Sequence, residues 1–266
     1  MTGGAYVVRV NGAEVHWASA RTEQSVAQVL DRYEEHCRRS PSALGAALED
    51  IPRALEDHVT LAKSDPARAG IVRDEQNGRG MVACFVREHT SGDLDEVRRS
   101  LEALARTGDL ASMGQLRYVF AERSERGGTR VVTMWSDGSL DLGRMFPPEG
   151  DAPGTDSSVV PRPAGSRRTL SASVVGFPAA VRIYESDALP AELVSNAGRA
   201  LRAAGFEEAV PTRPSGERVA RAAWVRRDGA EIILSAAARG RRSTLSVVEA
   251  SGASVAGIEV TLEKVR

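Results

Sequence analysis

Residues 8–17, with the sequence VRVNGAEVHW, and residues 174–183, with the sequence VVGFPAAVRI, carry apolar side chains in the same order. The matching positions are Val8 and Val174, Val15 and Val181, and Trp17 and Ile183. A helical pattern follows each stretch, and one residue of slip brings Val26 onto Leu193 and Tyr33 onto Ala200. Because internal similarity of this kind is typical of repeated structural units, the sequence predicts two copies of one module.

The first copy is expected to start with a hairpin and a helix. Asn11-Gly12 is typical of a type I′ turn, so residues 5–19 predict two antiparallel strands. A helix is predicted over residues 23–39, and either Thr22 or Ser25 is expected to cap its N-terminus.

The second copy shows the same order of elements more clearly. Strands at 170–175 and 181–184 precede a helix that runs from Pro190 to Gly205. The strands after this helix are predicted at 218–225, 231–237 and 244–249. The sequence therefore predicts an α+β fold of two tandem antiparallel-sheet modules. Each module is expected to follow a β-β-α-β-β-β plan, with a helix packed on one face of its sheet.

The rest of the chain adds helices, a linker and a tail. Helical patterns at 42–63 and 93–107 predict extra helices in the first module. Residues 147–168 are rich in Pro, Gly and Ser without periodicity, which is typical of a flexible linker. The expected organisation is a module at 1–146, a linker at 147–168, and a module at 169–266 with an extra C-terminal strand near 258–262.

The composition argues against several classes of partner. A formal net charge of −1 provides no overall field toward nucleic acids or anionic membranes. The sequence contains no run of 18 apolar residues, so it predicts no transmembrane segment. Because Lys63 and Lys264 are the lysines among 35 basic side chains, arginine supplies the other 33. This bias is typical of a GC-rich genome; the alternative explanation is recognition of carboxylates or phosphates by arginine.

The compartment stays open at this point. Residues 1–4 lead almost directly into a strand pattern, without the apolar region of a signal peptide. The protein is therefore expected to be cytoplasmic, or periplasmic or secreted if Met1 replaces a removed signal. A helix bearing Cys37 and a strand bearing Cys84 can pack within bonding distance. An oxidising compartment would favour a Cys37–Cys84 disulfide, and otherwise both cysteines are buried thiols.

The sequence predicts no catalytic, cofactor-binding or metal-binding residues. Serines lack a G-x-S-x-G motif, and the glycines at 78–80 lie in a hairpin turn, not at a phosphate-binding helix. The carboxylates Asp31, Glu34 and Glu35 are expected on a solvated helix face. Metal-ligand spacing is absent from the four histidines, which are His16, His36, His58 and His89.

Arginines gather on or beside the last three predicted strands. Outward positions of a sheet covered on one face could form a basic stripe that binds an anion or an acidic partner. The residues of this candidate surface are Arg218, Arg221, Arg226, Arg227, Arg239, Arg241 and Arg242. Nucleic acid is not favoured as the ligand, because Trp224 alone is available there for base stacking.

A short part of the second copy resembles known proteins. Residues 181–186, VRIYES, and residues 203–206, AAGF, flank the predicted helix. They resemble small α+β modules that are common in bacterial envelope proteins, with a Y-x-S strand end and a G-F or G-W after the helix. The resemblance implies export and carries no catalytic residues.

Together these observations favour a non-enzymatic interaction or scaffold protein of the bacterial cell envelope that binds a protein partner. Two modules on a linker would let two surfaces bind one partner together. The first alternative is a small-ligand-binding protein or enzyme with a cleft between the modules. The second is polyanion binding through the Arg-rich sheet. No cofactor is expected, and the oligomeric state is left open.

Overall fold

The computed structural model describes residues 5–40, 70–88, 94–125, 127–214 and 218–251. The chain divides into two compact units: unit 1 comprises Met1–Arg9 and Ala13–Pro147, and unit 2 comprises Val10–Gly12 and Pro148–Arg266. Both units combine antiparallel strands with helices, which confirms the predicted α+β class. The predicted helix at 42–63 and the predicted strand near 258–262 lie outside the described residues.

Unit 1 contains six neighbouring antiparallel strands, with one helix over part of one face. Its strands are β1 (Ala5–Val10), β2 (Ala13–Thr22), β3 (Ile71–Gln76), β4 (Arg79–Val86), β5 (Gln115–Arg123) and β6 (Thr129–Trp135). Its helices are α1 (Val26–Arg39), α2 (Leu94–Thr107) and the short α3 (Leu142–Met145). The strand order is β3-β4-β5-β6-β2-β1. Helix α2 forms within the predicted range 93–107.

Local turn chemistry sets the β1–β2 and β3–β4 hairpins. Asn11 and Gly12 have φ angles of 47° and 82°, and Asn77 and Gly78 have φ angles of 52° and 75°. Two consecutive positive φ angles are what a type I′ turn requires, and Asn and Gly adopt them at low cost. The predicted hairpins around both Asn-Gly pairs are therefore present.

Helix α1 starts at the second of the two expected caps. Ser25 is the N-cap, and its hydroxyl accepts a hydrogen bond from the Gln28 amide, while the Gln28 side chain accepts one from the Ser25 amide. This reciprocal capping box satisfies two amides that the helix itself leaves unpaired. Thr22, the other candidate, ends β2 instead.

The core of unit 1 lies between α1 and the middle of the sheet. Helix α1 packs mainly against β3, β4 and β5. The buried apolar side chains of this core are Val26, Val29, Leu30, Cys37, Val82, Cys84, Val86, Val119, Ala121 and Val131.

Unit 2 also has six strands and one covering helix. The strands are β7 (Arg167–Val174), β8 (Ala179–Ser186), β9 (Glu207–Pro214), β10 (Val219–Val225), β11 (Glu231–Arg239) and β12 (Arg242–Ala250). The helix is α4 (Pro190–Ala203). The strand order is β7-β8-β12-β11-β10-β9, and α4 packs against β9, β10, β11 and β12.

Strand β9 corrects the predicted β-β-α-β-β-β plan, because it adds a fourth strand after the helix. Its sequence, EEAVPTRP, contains two prolines and three charged residues, a composition typical of a loop. The strand lies at the edge of the sheet, where one row of backbone groups is unpaired and proline is tolerated. Edge position therefore explains a strand that the residue pattern does not reveal.

Residues 148–166 differ from the predicted flexible linker, because they pack onto unit 2. Val160 has no exposed surface and belongs to the core formed with Tyr184, Leu193 and Leu201. The Arg168 guanidinium donates to the Ala152 carbonyl at 3.1 Å. The segment is extended, and its hydrogen bonds and the burial of Val160 attach it to the sheet. Because ordered extended segments and flexible linkers share a composition rich in proline, glycine and serine, the composition alone does not distinguish them.

The two units share one order of elements. Read from the edge strand that follows the helix, the orders β3-β4-β5-β6-β2-β1 and β9-β10-β11-β12-β8-β7 match strand for strand. Helix α4 begins and ends 164 residues after α1, at Pro190 for Val26 and at Ala203 for Arg39. The sequence alignment instead paired Val26 with Leu193. It did not account for β2 being 10 residues long and β8 being 8.

Replacing Val160 tests whether the 148–166 segment belongs to the folded unit. We expect Val160→Ala to lower the free energy of unfolding by about 2 kcal/mol, because it removes buried apolar surface and leaves a cavity. Urea denaturation measures this loss. Val175→Ala, at a position 45% exposed, is the matched control and should change stability little. Equal effects of the two substitutions would contradict the packing described.

Lowering the pH should weaken the contacts that attach residues 148–166 to the rest of unit 2. The Arg162 guanidinium, which donates to Asp151 at 2.7 Å, lowers the pKa of the Asp151 carboxyl below its usual value. A carboxyl with a lowered pKa in the folded state stabilises the fold above its ordinary pKa of about 3.9, and this contribution is lost as the pH falls through the lowered value. Asp151→Asn should therefore lower the melting temperature at pH 7 and lose this effect near pH 2. Asp187→Asn, at an exposed site, is the control; a pH-independent effect of Asp151→Asn would contradict the expectation.

Candidate functional site

In the structure, Cys37 and Cys84 form the candidate disulfide pair. The Sγ atoms of Cys37, on α1, and Cys84, on β4, lie 2.08 Å apart, and the Cα atoms lie 6.1 Å apart. Both side chains are buried in the core of unit 1. The pair therefore links the helix covalently to the sheet on which it packs.

The seven arginines of the predicted surface fall into two groups. Arg226 and Arg227 lie at the turn after β10, and the other five lie toward the opposite ends of β10, β11 and β12, with Arg221 two residues inside β10. Strand β10 has seven residues, so the groups are separated by about 20 Å along the strand. Over that distance salt screens one group from the other. The uncharged pair Ala223 and Ile233 lies between them, so the described residues do not form a continuous basic stripe.

Two of these arginines, Arg226 and Arg242, already have acidic or aromatic partners. Arg226 donates to Asp228 at 2.7 Å, and its guanidinium lies 4.8 Å from the centre of the Phe206 ring. Arg242 donates to Glu185 at 3.4 Å. The charge offered to an external anion is correspondingly reduced.

The two described histidines of unit 1 lie in different settings. His16 stacks on Trp135 with ring centres 5.0 Å apart. His36 is exposed on α1, while His58 and His89 lie outside the described residues. Within the described ranges, no three His, Cys, Asp or Glu side chains are placed to share a metal ion.

Glu34 corrects the expectation of a solvated acidic face. Its side chain is 4% exposed and accepts a hydrogen bond from Arg73 at 2.8 Å, and Asp31 accepts another from the same guanidinium at 2.7 Å. Hydrogen bonds from Arg73 to Glu75, Glu34 and Asp31 raise the pKa of Arg73. These carboxylates therefore anchor β3 to α1 and are not placed as a catalytic pair.

A groove with a cavity volume of about 680 Å³ opens in unit 1 between α1 and the strands β2 and β6. Small side chains make its floor, and α1 makes its wall. The floor residues are Ala18 and Ala20 on β2 and Val131 and Thr133 on β6. The wall residues include Val29, Arg32, Tyr33, His36 and Arg39. An apolar concavity beside a few polar groups is the usual form of a binding site.

The wall of the groove is basic at its rim. Arg32 is exposed and forms no ion pair with any residue that the structure describes. Glu35 accepts from both Arg38 and Arg39, so its carboxylate is neutralised locally. Burial raises the pKa of Tyr33, which keeps its hydroxyl protonated at neutral pH.

The corresponding place in unit 2 is filled. Counted back from the ends of β2 and β8, Ala18 and Ala20 correspond to Arg182 and Tyr184. Arg182 donates to the Thr155 carbonyl at 2.8 Å, and the Tyr184 hydroxyl donates to Asp156 at 3.2 Å. Large side chains and residues 151–160 thus cover in unit 2 what the described residues of unit 1 leave open.

Burial keeps the Tyr184 hydroxyl in its donor form. Burial first, and then the nearby Asp156 carboxylate, raise the pKa of Tyr184 to about 12. The hydroxyl is therefore protonated throughout the physiological range, and its hydrogen bond holds the covering segment in place.

The groove was not found from the sequence. The local signal is the run Ala18-Ser19-Ala20, which places two small residues on one face of a strand. Small residues in a strand are common, and only the position of α1 makes this pair the floor of a cavity.

Comparisons with protein-family models, with curated proteins and with solved structures found no match for this chain. Among the described residues, no helix combines the length and the apolar character that a bilayer crossing requires.

Reduction should destabilise the protein through the Cys37–Cys84 pair. The cysteines are 47 residues apart in sequence, and a cross-link of that span stabilises a fold by about 4 kcal/mol. We expect dithiothreitol to lower the free energy of unfolding by that amount, and thiol titration under denaturing conditions to detect no free thiol before reduction.

The Cys37→Ala/Cys84→Ala double variant is the matched control, because its stability should not respond to dithiothreitol. Two titratable thiols in untreated protein that was purified under oxidising conditions would contradict the bond.

Proposed function

We propose that this is a non-enzymatic interaction protein of the bacterial cell envelope that binds a segment of a partner protein in the groove of unit 1. One observation carries the proposal: among the residues that the structure describes, none covers the groove, at the place where unit 2 is covered by its own residues 151–160. An uncovered part of a sheet with an apolar floor is a favourable surface for a chain segment to bury.

The contacts in unit 2 indicate how such a segment can be held. Backbone carbonyls there accept from arginine side chains, as Thr155 does from Arg182. Val160 supplies an apolar anchor that enters the core. A partner segment in unit 1 would use the same two kinds of contact, with backbone bonds for alignment and one apolar side chain for affinity.

We also propose that the two units are copies of one module, and the similar order of their elements supports this. In both, the buried helix positions fall 164 residues apart, as with Val29 and Leu193 or Cys37 and Leu201. Duplication would account for one copy that is closed by its own chain and one copy that is open to a partner.

The cysteine pair supports an exported location. Disulfides form in oxidising compartments such as the periplasm and are uncommon in the cytoplasm. Binding is favoured over catalysis because the groove residues do not form a nucleophile and base: Glu35 is held by Arg38 and Arg39. Small-ligand binding in the same groove is the alternative.

Selection from a phage-displayed library of random peptides tests the proposal. We expect the full-length protein to enrich peptides that do not bind the Ala20→Tyr variant, because tyrosine, as in Tyr184 of unit 2, fills the groove. Arg21→Tyr is the matched control: it adds the same side chain one residue further along β2, on the opposite face, and should leave binding unchanged.

Two results would contradict the proposal. One is the absence of any peptide that distinguishes wild type from Ala20→Tyr. The other is equal loss of binding in Ala20→Tyr and Arg21→Tyr. Circular dichroism and the melting temperature establish that both variants are folded before they are compared.

A further inference from the structure

We infer that the groove of unit 1 takes an extended acidic peptide segment, which inserts one bulky apolar side chain over Ala18 and Ala20. This inference rests on the proposed function of the groove and specifies the chemistry of the partner. It follows from the size of the floor residues, the charge of the wall, and the segment that occupies the corresponding place in unit 2.

The floor residues set the size of the anchor. In unit 2 the Tyr184 ring lies in the core beneath the covering segment, and the anchor on that segment is a valine, Val160. In unit 1 the corresponding residue is Ala20, and Ala18 replaces Arg182. The space that two large side chains fill in unit 2 is therefore part of the groove in unit 1. A valine would leave a void there, whereas leucine, phenylalanine or tryptophan would pack against the floor.

The wall sets the charge of the segment. Arg32 and Arg39 lie seven residues apart on α1, which is about 10 Å along the helix axis, and His36 lies between them. An extended chain covers that distance in about three residues. Two carboxylates three residues apart span this distance on either side of the anchor. Because side chains alternate along an extended chain, one carboxylate lies on the anchor's side of the peptide and the other on the opposite side, and the long glutamate and arginine side chains let each approach one guanidinium. Arg39 would exchange its contact with Glu35 for the peptide carboxylate.

Unit 2 provides an internal example of this chemistry. Its covering segment carries two aspartates: Asp156 accepts from Tyr184 and Arg168, and Asp151 accepts from Arg162. An acidic, extended stretch with one apolar anchor is thus the kind of chain that this fold already accommodates against the corresponding strands.

Fluorescence anisotropy with labelled synthetic peptides and the full-length protein tests the inference. The probe GSEWSEGS places tryptophan between two glutamates three residues apart. One control, GSKWSKGS, reverses the charges, and the other, GSEGSEGS, removes the anchor. We expect saturable binding of the probe and affinities at least about tenfold lower for both controls. Loss of the buried anchor, or replacement of two attractive ion pairs by two repulsive contacts, corresponds to about 1.4 kcal/mol or more.

Charge reversal on the protein completes the test. Arg32→Glu should weaken binding of GSEWSEGS about tenfold and reverse the preference toward GSKWSKGS. Arg21→Glu changes the same charge on the opposite face of β2 and is the matched control, with no expected effect. Because Arg32 is exposed, this variant is expected to fold even if Ala20→Tyr does not.

Each remaining outcome overturns the inference. Equal binding of the acidic and basic peptides, equal binding without tryptophan, no response to Arg32→Glu, or no saturable binding of GSEWSEGS would do so. The library selection separates this failure from failure of the proposed function. If the selected groove-dependent peptides are basic, or lack an aromatic or other apolar anchor, the proposed function is supported and this inference is contradicted. If no selected peptide depends on the groove, both are contradicted.

Discussion

One helix is too narrow to cover six neighbouring strands, and this mismatch governs both units. Strands lie about 4.8 Å apart, so six of them span about 24 Å, while a helix with its side chains is about 10 Å wide. In unit 1 the helix packs mainly against β3, β4 and β5. The core-facing side of the remaining strands must then be covered by other chain, carry side chains that tolerate water, or bind a partner.

The two units solve this problem with different residues at corresponding positions. In unit 2, Arg182 and Tyr184 lie on β8, beside the strands that α4 covers. Hydrogen bonds and the buried Val160 hold residues 151–160 over them. Unit 1 places Ala18 and Ala20 there, which expose little apolar surface each but create a concave floor. The difference between a closed and an open unit therefore lies in a few side chains and one chain segment.

The sequence predicted features that depend on neighbouring residues, and it did not predict features that depend on contacts between distant parts of the chain. The Asn11-Gly12 turn and the helices were predictable because turn conformation and apolar periodicity depend on neighbouring residues. Strand β9 was not, because its prolines are acceptable only at a sheet edge. The 148–166 segment has a linker's composition, yet Val160 is buried by a sheet far along the chain. The groove and the buried Glu34–Arg73 contact likewise depend on elements brought together by folding.

An open groove reduces the apolar surface that unit 1 buries, and its covalent link offsets this loss. Among the described residues, the core of unit 1 contains fewer buried apolar side chains than that of unit 2. Where unit 2 places Leu201 in its core, unit 1 places Cys37, which reaches Cys84 on β4. The link joins α1, the wall of the groove, to the sheet that carries its floor. A binding site gains affinity when its walls are held in place before the ligand arrives. The same bond therefore stabilises the smaller core and keeps the groove in the form that a partner segment would meet.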